Sequence, residues 1–232
     1  MDTPDLRELL AKATQLAEVG DFTHAVEPLQ QVLAHDETNV DALLQFGRCL
    51  AMLGRVDEAV KALEKLAKLQ PEDVEVFNIL GHVLLNARQP DLATAAFNRC
   101  LELNPNHVEA MRHLANWNNF RGNPKKSLQL FEKAQALAPD HCDLLFEFAW
   151  TVFHSAGDTD RAANLFQRAL TLEDIAADRG SVALQLLNYA SNQKNETIAK
   201  LHREWGEKHA DPLGQTADFK THDFNTDRPL RI

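Results

Sequence analysis

Pro71, Pro105 and Pro139 stand 34 residues apart, as do Gly20 and Gly54, and Gly47 and Gly81. A fixed period of that length means one supersecondary unit used again and again, each copy covering its apolar face with the next, rather than a single closed core. The frame those residues set runs Leu6–Asn39, Val40–Asp73, Val74–His107, Val108–His141 and then Cys142 to about Ala176, with one extra residue in the last copy just before Gly157. Helix is the only element the composition favours: Leu and Ala number 34 and 31 against 12 Val and 4 Ile.

Within the frame the fourth position is large and apolar (Leu9, Leu43, Phe77, Met111, Leu145) and the eighth is small (Ala13, Gly47, Gly81, Ala115, Ala149). The twentieth is small again (Ala25, Ala59, Ala93, Ser127, Ala162), and the twenty-fourth is Leu29, Leu63, Phe97, Phe131 and Phe166. Small residues at eight and twenty allow two antiparallel helices to approach closely, and the large residues fill the space between neighbouring pairs. Gly20, Gly54 and Gly122 fall where a first helix must end in a left-handed residue, and Pro90 and Pro124 fall near the start of a second helix. Pro71, Pro105 and Pro139 stop the second helix. Pro28 lies about a turn and a half into the second helix of the first copy, which predicts a bend or a late start there.

These positions are the pattern of the tetratricopeptide repeat, which the chain resembles over roughly 170 residues. The resemblance implies an all-α, right-handed superhelical solenoid of about five helix-turn-helix repeats over residues 6–176, with capping helices over 177–210. It also implies that first-helix positions two, five, nine, twelve and thirteen line a concave groove for a protein or an extended peptide, leaving the convex face as the surface a second copy could use. The peptide-binding residues expected on that basis are Arg48, Asn78, His82, Asn86, Arg112, Asn116, Asn119, Phe120 and Trp150. Asparagine amides offer both donors and acceptors to a peptide backbone, Arg48 and Arg112 offer cations to acidic side chains, and Trp150 is expected to pack with Phe146 and Phe153 against the terminal helices. A carboxylate clamp is excluded, since Leu10 and Thr14 hold the positions where chaperone-binding relatives carry Lys and Asn.

The formal charge of −10 argues against nucleic acid as a partner. No run approaches the roughly 18 apolar residues of a membrane span, and Met1-Asp2-Thr3-Pro4-Asp5 is acidic where a secretory signal is basic, so a cytoplasmic chain is expected. Cys49, Cys100 and Cys142 are an odd count without CxxC spacing and read as buried thiols. Ten histidines occur without an HxxxH pair on one helix face, and no Gly-rich phosphate loop is present. No catalytic site, cofactor or metal site is therefore expected. His141-Cys142, at a repeat junction, reads as a turn and a packed thiol.

From Asp178 onward the repeat pattern stops and eight basic residues balance eight acidic ones, so the negative charge belongs to residues 1–177. Ser181–Ala190 and Thr197–Ala210 read as two further helices, Asn195 as a cap, and residues 211–232 as an extended linker. The order Leu187-Asn188-Tyr189, then His202-Arg203-Glu204-Trp205-Gly206-Glu207-Lys208-His209, then Arg228-Pro229-Leu230-Arg231-Ile232 is similar to the junction in bacterial O-GlcNAc-transferase-like (SPINDLY-like) glycosyltransferases. That resemblance implies a substrate-recruiting region in front of a catalytic domain outside this sequence. Departures from the animal members of that family are plain, since Gln45, Ile79, His113 and Glu147 hold the position of their asparagine ladder. The alternative is a free-standing adaptor for the assembly of a protein complex.

Overall fold

Each first helix starts on a side-chain acceptor that takes one of the N–H groups the helix itself cannot satisfy. Asp5 caps α1 (Leu6–Glu18), and Asn39 Oδ1 caps α3 (Val40–Met52) by accepting from Ala42 N–H at 3.0 Å. The Asp73 carboxylate caps α5 (Val74–Asn86) and His107 Nδ1 caps α7 (Val108–Phe120), accepting from Ala110 N–H at 3.2 Å. The second helices are α2 (Phe22–His35), α4 (Val56–Leu69), α6 (Pro90–Leu103) and α8 (Pro124–Leu137), the last two opening on proline.

These come from a computed structural model that describes residues 5–172, 177–189 and 195–209, all of whose regular elements are helical. The chain divides into two units, Met1–Pro139 and Asp140–Ile232. In the first, α1 to α8 form four antiparallel hairpins, each packed on the next. Position eight is where the helices of a hairpin come closest. A Cβ placed on Gly47 would lie 2.7 Å from Leu63 Cγ, and one on Gly81 would lie 2.6 Å from Phe97 Cε1. The position-24 side chains that fill the seam, Leu29, Leu63, Phe97 and Phe131, are all buried.

The turns inside the hairpins share one geometry. Gly20, Gly54 and Gly122 have φ of 81°, 73° and 75°, and Arg88, at the same place in the third repeat, has φ 56°. Around Arg88 the backbone closes as it does around Gly54: Arg88 N–H donates to Leu85 O at 3.0 Å and Gln89 N–H to Leu84 O at 2.9 Å. Pro28 lies inside α2 and is buried. The late start expected of it is not found, because the Asp21 carboxylate caps the helix ahead of it, accepting from His24 N–H at 3.2 Å. A second regularity joins consecutive repeats: Lys65 Nζ reaches Glu37 Oε2 at 2.8 Å, Arg99 donates to Pro71 O at 3.1 Å and Lys133 to Pro105 O at 2.7 Å, each across 28 residues.

In the second unit His141 Nδ1 caps α9 (Cys142–Thr151), accepting from Leu144 N–H at 3.3 Å, and Cys142 is buried, as a turn and a packed thiol require. A π-helical segment, Val152–Ala156, continues α9 and ends at Gly157 with φ 68°. The extra residue of the fifth copy is absorbed there, since a π turn holds one residue more than an α turn. Then come α10 (Thr159–Thr171), α11 (Ala177–Leu187) and α12 (Asn195–His209), each packed on its predecessor. Helix α11 begins four residues before the expected Ser181. Gly180 on α11 faces the indole of Trp205 on α12 so closely that a Cβ there would overlap the ring. Residues 211–232, expected as a linker, lie outside the described residues, as does the Arg228–Ile232 segment.

Candidate functional site

First-helix residues two, five, nine, twelve and thirteen follow a helical stripe, so each repeat sends the same few side chains to the same face. In the first unit α1, α3 and α5 bring three of these stripes together around a cleft of ≈ 600 Å³. Thr14, Ala17 and Glu18 of α1, Gln45, Arg48 and Met52 of α3, and Ile79, His82 and Asn86 of α5 line it, together with Phe22 of α2. Arg48 and Asn86 are exposed, and Met52 is 66 % exposed, so the cleft offers a cation, an amide and apolar surface at once.

Arg48, His82 and Asn86 thus share one cleft. Asn78 does not join them: it is 8 % exposed, its Nδ2 donates to the Glu75 carboxylate at 3.4 Å, and its Oδ1 is buried without a partner. The expectation that Asn78 lines the groove is corrected by its burial, which leaves its amide paired to Glu75 of its own helix. Phe120 is 80 % exposed and stacks on Trp117 at 5.4 Å, while Asn116 and Asn119 are partly buried along α7. Trp150 belongs to the second unit, where it is 41 % exposed, stacks on Phe146 at 6.5 Å and lies tilted against His154 at 4.2 Å. Phe146 meets Phe166 of α10 at 5.5 Å and Phe153 meets Tyr189 at the α11 end at 6.0 Å.

Arg112 is turned inward. Its Nη2 donates to Glu109 Oε2 at 2.7 Å, its Nε to the same oxygen at 3.1 Å, and its side chain is only 11 % exposed. The same Nη2 lies 3.1 Å from His113 Nε2. A guanidinium only donates, so Nε2 of His113 accepts and the ring carries its proton on Nδ1. His113 stacks on the buried ring of Phe97 at 4.9 Å and meets His82 edge-on at 4.3 Å. Burial above all, with the Arg112 charge and His82 adding to it, pushes the His113 imidazolium down to about 3, against the opposing pull of Glu109. Burial also lowers the His82 pKa, so both rings are neutral at pH 7.

One donor of His82, one oxygen of Glu109 and one nitrogen of His113 lie within 4.8 Å of one another, the one group of potential metal ligands among the described residues. A search for paired ligands along single helices misses it. Glu109 and His113 sit one turn apart on α7, and the third member comes from the preceding repeat, 27 residues before Glu109.

Residues 16–82, 80–141 and 149–180 match family models described as tetratricopeptide repeat. Among solved structures the chain is similar to pilF of Pseudomonas aeruginosa (TM-score 0.73, 15 % identity, covering 90 % of this chain and 93 % of that one). It is also similar to MamA from Desulfovibrio magneticus RS-1 (TM-score 0.65, 23 % identity, 74 % and 97 % covered). A third likeness is to YrrB, described as a TPR protein with an unusual peptide-binding site (TM-score 0.62, 23 % identity, 78 % and 91 % covered). At these identities the likeness is one of fold. No curated protein matches the chain in sequence.

Proposed function

We propose, for a chain that belongs to the tetratricopeptide-repeat family, that it is a protein-binding scaffold whose first unit takes an extended peptide in the cleft between α1, α3 and α5. The observation that carries this reading is the ≈ 600 Å³ cleft in which Arg48, His82 and Asn86 stand beside Met52 and Ile79. An extended backbone alternates its side chains, so one face can set apolar groups against Met52 and Ile79 while an acidic group meets Arg48 and the Asn86 amide pairs with main chain. YrrB, with its peptide-binding site, supplies a precedent on the same fold. Nothing in this mode calls for a cofactor or for chemistry within the chain, and the cytoplasm is the compartment we propose.

The test is a fluorescence-anisotropy titration with acidic, apolar-rich peptides against the chain and its Arg48→Ala/Asn86→Ala variant. Both side chains are exposed, so the melting temperature should hold while affinity falls about tenfold, the equivalent of ~1.4 kcal/mol. Equal binding by the variant would remove the cleft from consideration.

A second reading makes this scaffold the substrate-recruiting part of an O-GlcNAc-transferase-like enzyme. It rests on the order Leu187–Tyr189 at the end of α11 and His202–His209 along α12. The matched family models and structures described above are those of repeat proteins and lend it no weight. Continuation of the reading frame past Ile232 into a sugar-nucleotide-binding domain is the finding that would carry it, and a stop codon there would end it.

A further inference from the structure

We propose that His82, Glu109 and His113 form a three-ligand site for a divalent cation of the zinc class, built across the α5–α7 junction of the first unit. The donor set is two imidazoles and one carboxylate, a combination zinc accepts with a fourth position left for water or a partner group. The three donors lie within 4.8 Å of one another, and the pair on α7 is already at 3.7 Å. Ligands sharing a tetrahedral zinc at about 2.0–2.1 Å sit roughly 3.3 Å apart, so closure asks for rotation of side chains and leaves the helices where they are.

Two features make the site ready. The Nε2 lone pair of His113 is directed at Arg112 Nη2, and Glu109 Oε2 accepts from the same Nη2, so both α7 donor atoms already face one cation. The ring planes of both histidines are fixed by Phe97, stacked on His113 at 4.9 Å and edge-on to His82 at 5.7 Å. Packing that holds the ligand rings in orientation is what a metal site needs from its surroundings.

Arg112 supplies the distinctive consequence. Its guanidinium donates to the same Glu109 oxygen and the same His113 nitrogen that a metal would take. A lone pair cannot serve both, so the metal enters as Arg112 leaves. Removing the guanidinium should therefore strengthen metal binding, whereas adventitious binding at surface groups would ignore it.

The experiment titrates the whole chelator-treated chain with cobalt(II), followed by the visible absorption of four-coordinate cobalt, and then displaces the cobalt with zinc. One equivalent should bind. Glu109→Gln and His113→Asn should each weaken uptake by at least about tenfold, and Arg112→Met should tighten it severalfold. Circular dichroism of each variant shows that it is folded, and His24→Ala, which removes the exposed His24–Asp21 pair, serves as the surface control. Unchanged uptake by Glu109→Gln and His113→Asn, loss of uptake in His24→Ala, or weaker binding by Arg112→Met would each overturn the proposal. The Arg48→Ala/Asn86→Ala variant should bind cobalt normally, which separates this outcome from that of the peptide cleft.

Discussion

Arg88 is the residue whose replacement should make the protein more stable. It holds φ 56° at the turn where the other three hairpins of the first unit carry Gly20, Gly54 and Gly122. A side chain in that region costs about 1–2 kcal/mol, because Cβ crowds the following carbonyl oxygen. Glycine avoids that cost but gives the unfolded chain more freedom, which returns about 0.5–1 kcal/mol. The two turn hydrogen bonds, Arg88 N–H to Leu85 O at 3.0 Å and Gln89 N–H to Leu84 O at 2.9 Å, are main-chain bonds and survive the change. The Arg88 side chain is exposed, so no packing is lost. Arg88→Gly should therefore stabilise by about 0.5–1 kcal/mol, raising the melting temperature by roughly 1–4 °C in a chain of this size. The reciprocal variant, Gly54→Ala, meets no atom within 4 Å of the new Cβ at φ 73°, so its cost is conformational and should be about 1 kcal/mol of destabilisation. Urea titrations of the three proteins read both effects, and amide exchange of the α5–α6 hairpin localises the first. A lower urea midpoint for Arg88→Gly, with Gly54→Ala unchanged, would refute the reasoning, because turn strain would then not be what sets these positions.

The hairpins were legible in the sequence because one period places both the seam residues and the turn residues: Gly47 faces Leu63 and Gly81 faces Phe97 as the small-to-large pattern demands. Legibility ended where a local bond competes with a pattern. Pro28 suggested a bend or a late start, yet the Asp21 cap starts α2 at Phe22, ahead of the proline. Arg88 stands 34 residues from both Gly54 and Gly122, so the frame marks its left-handed backbone although an arginine taken by itself does not. Burial was the second limit. A stripe of positions names the face a residue lies on, not its depth, so Arg48 and Asn86 open to the cleft while Asn78, on the same stripe, is covered. The His82, Glu109 and His113 group required knowing which repeats touch, because its members are close in space only through the α5–α7 packing.

Two further perturbations probe the packed interior. The cysteines should react only on unfolding: Cys49, Cys100 and Cys142 are buried, and burial, with Glu75 contributing, pushes the Cys100 thiol up to about 11. At pH 8 its thiolate fraction is then roughly one in a thousand, so iodoacetamide should leave Cys100 unmodified in the native chain by intact mass and alkylate it in urea. Rapid native labelling would show that the α5–α6 hairpin opens readily. Gly81→Ala asks whether the helix seam can yield. The added Cβ would stand 2.6, 2.7 and 2.8 Å from Cε1, Cζ and Cδ1 of Phe97, and that ring is pinned on its other sides by His82 at 5.7 Å and His113 at 4.9 Å. Alanine's better helix propensity offers ~1 kcal/mol in return, but three ring atoms cannot all retreat without moving the histidines, so overpacking should dominate with a net loss of about 1–2 kcal/mol. Because the displaced rings are the proposed metal ligands, the same substitution should also weaken cobalt uptake. A Gly81→Ala chain at least as stable as its parent would mean that α5 and α6 separate freely and that the seam is looser than its glycine implies.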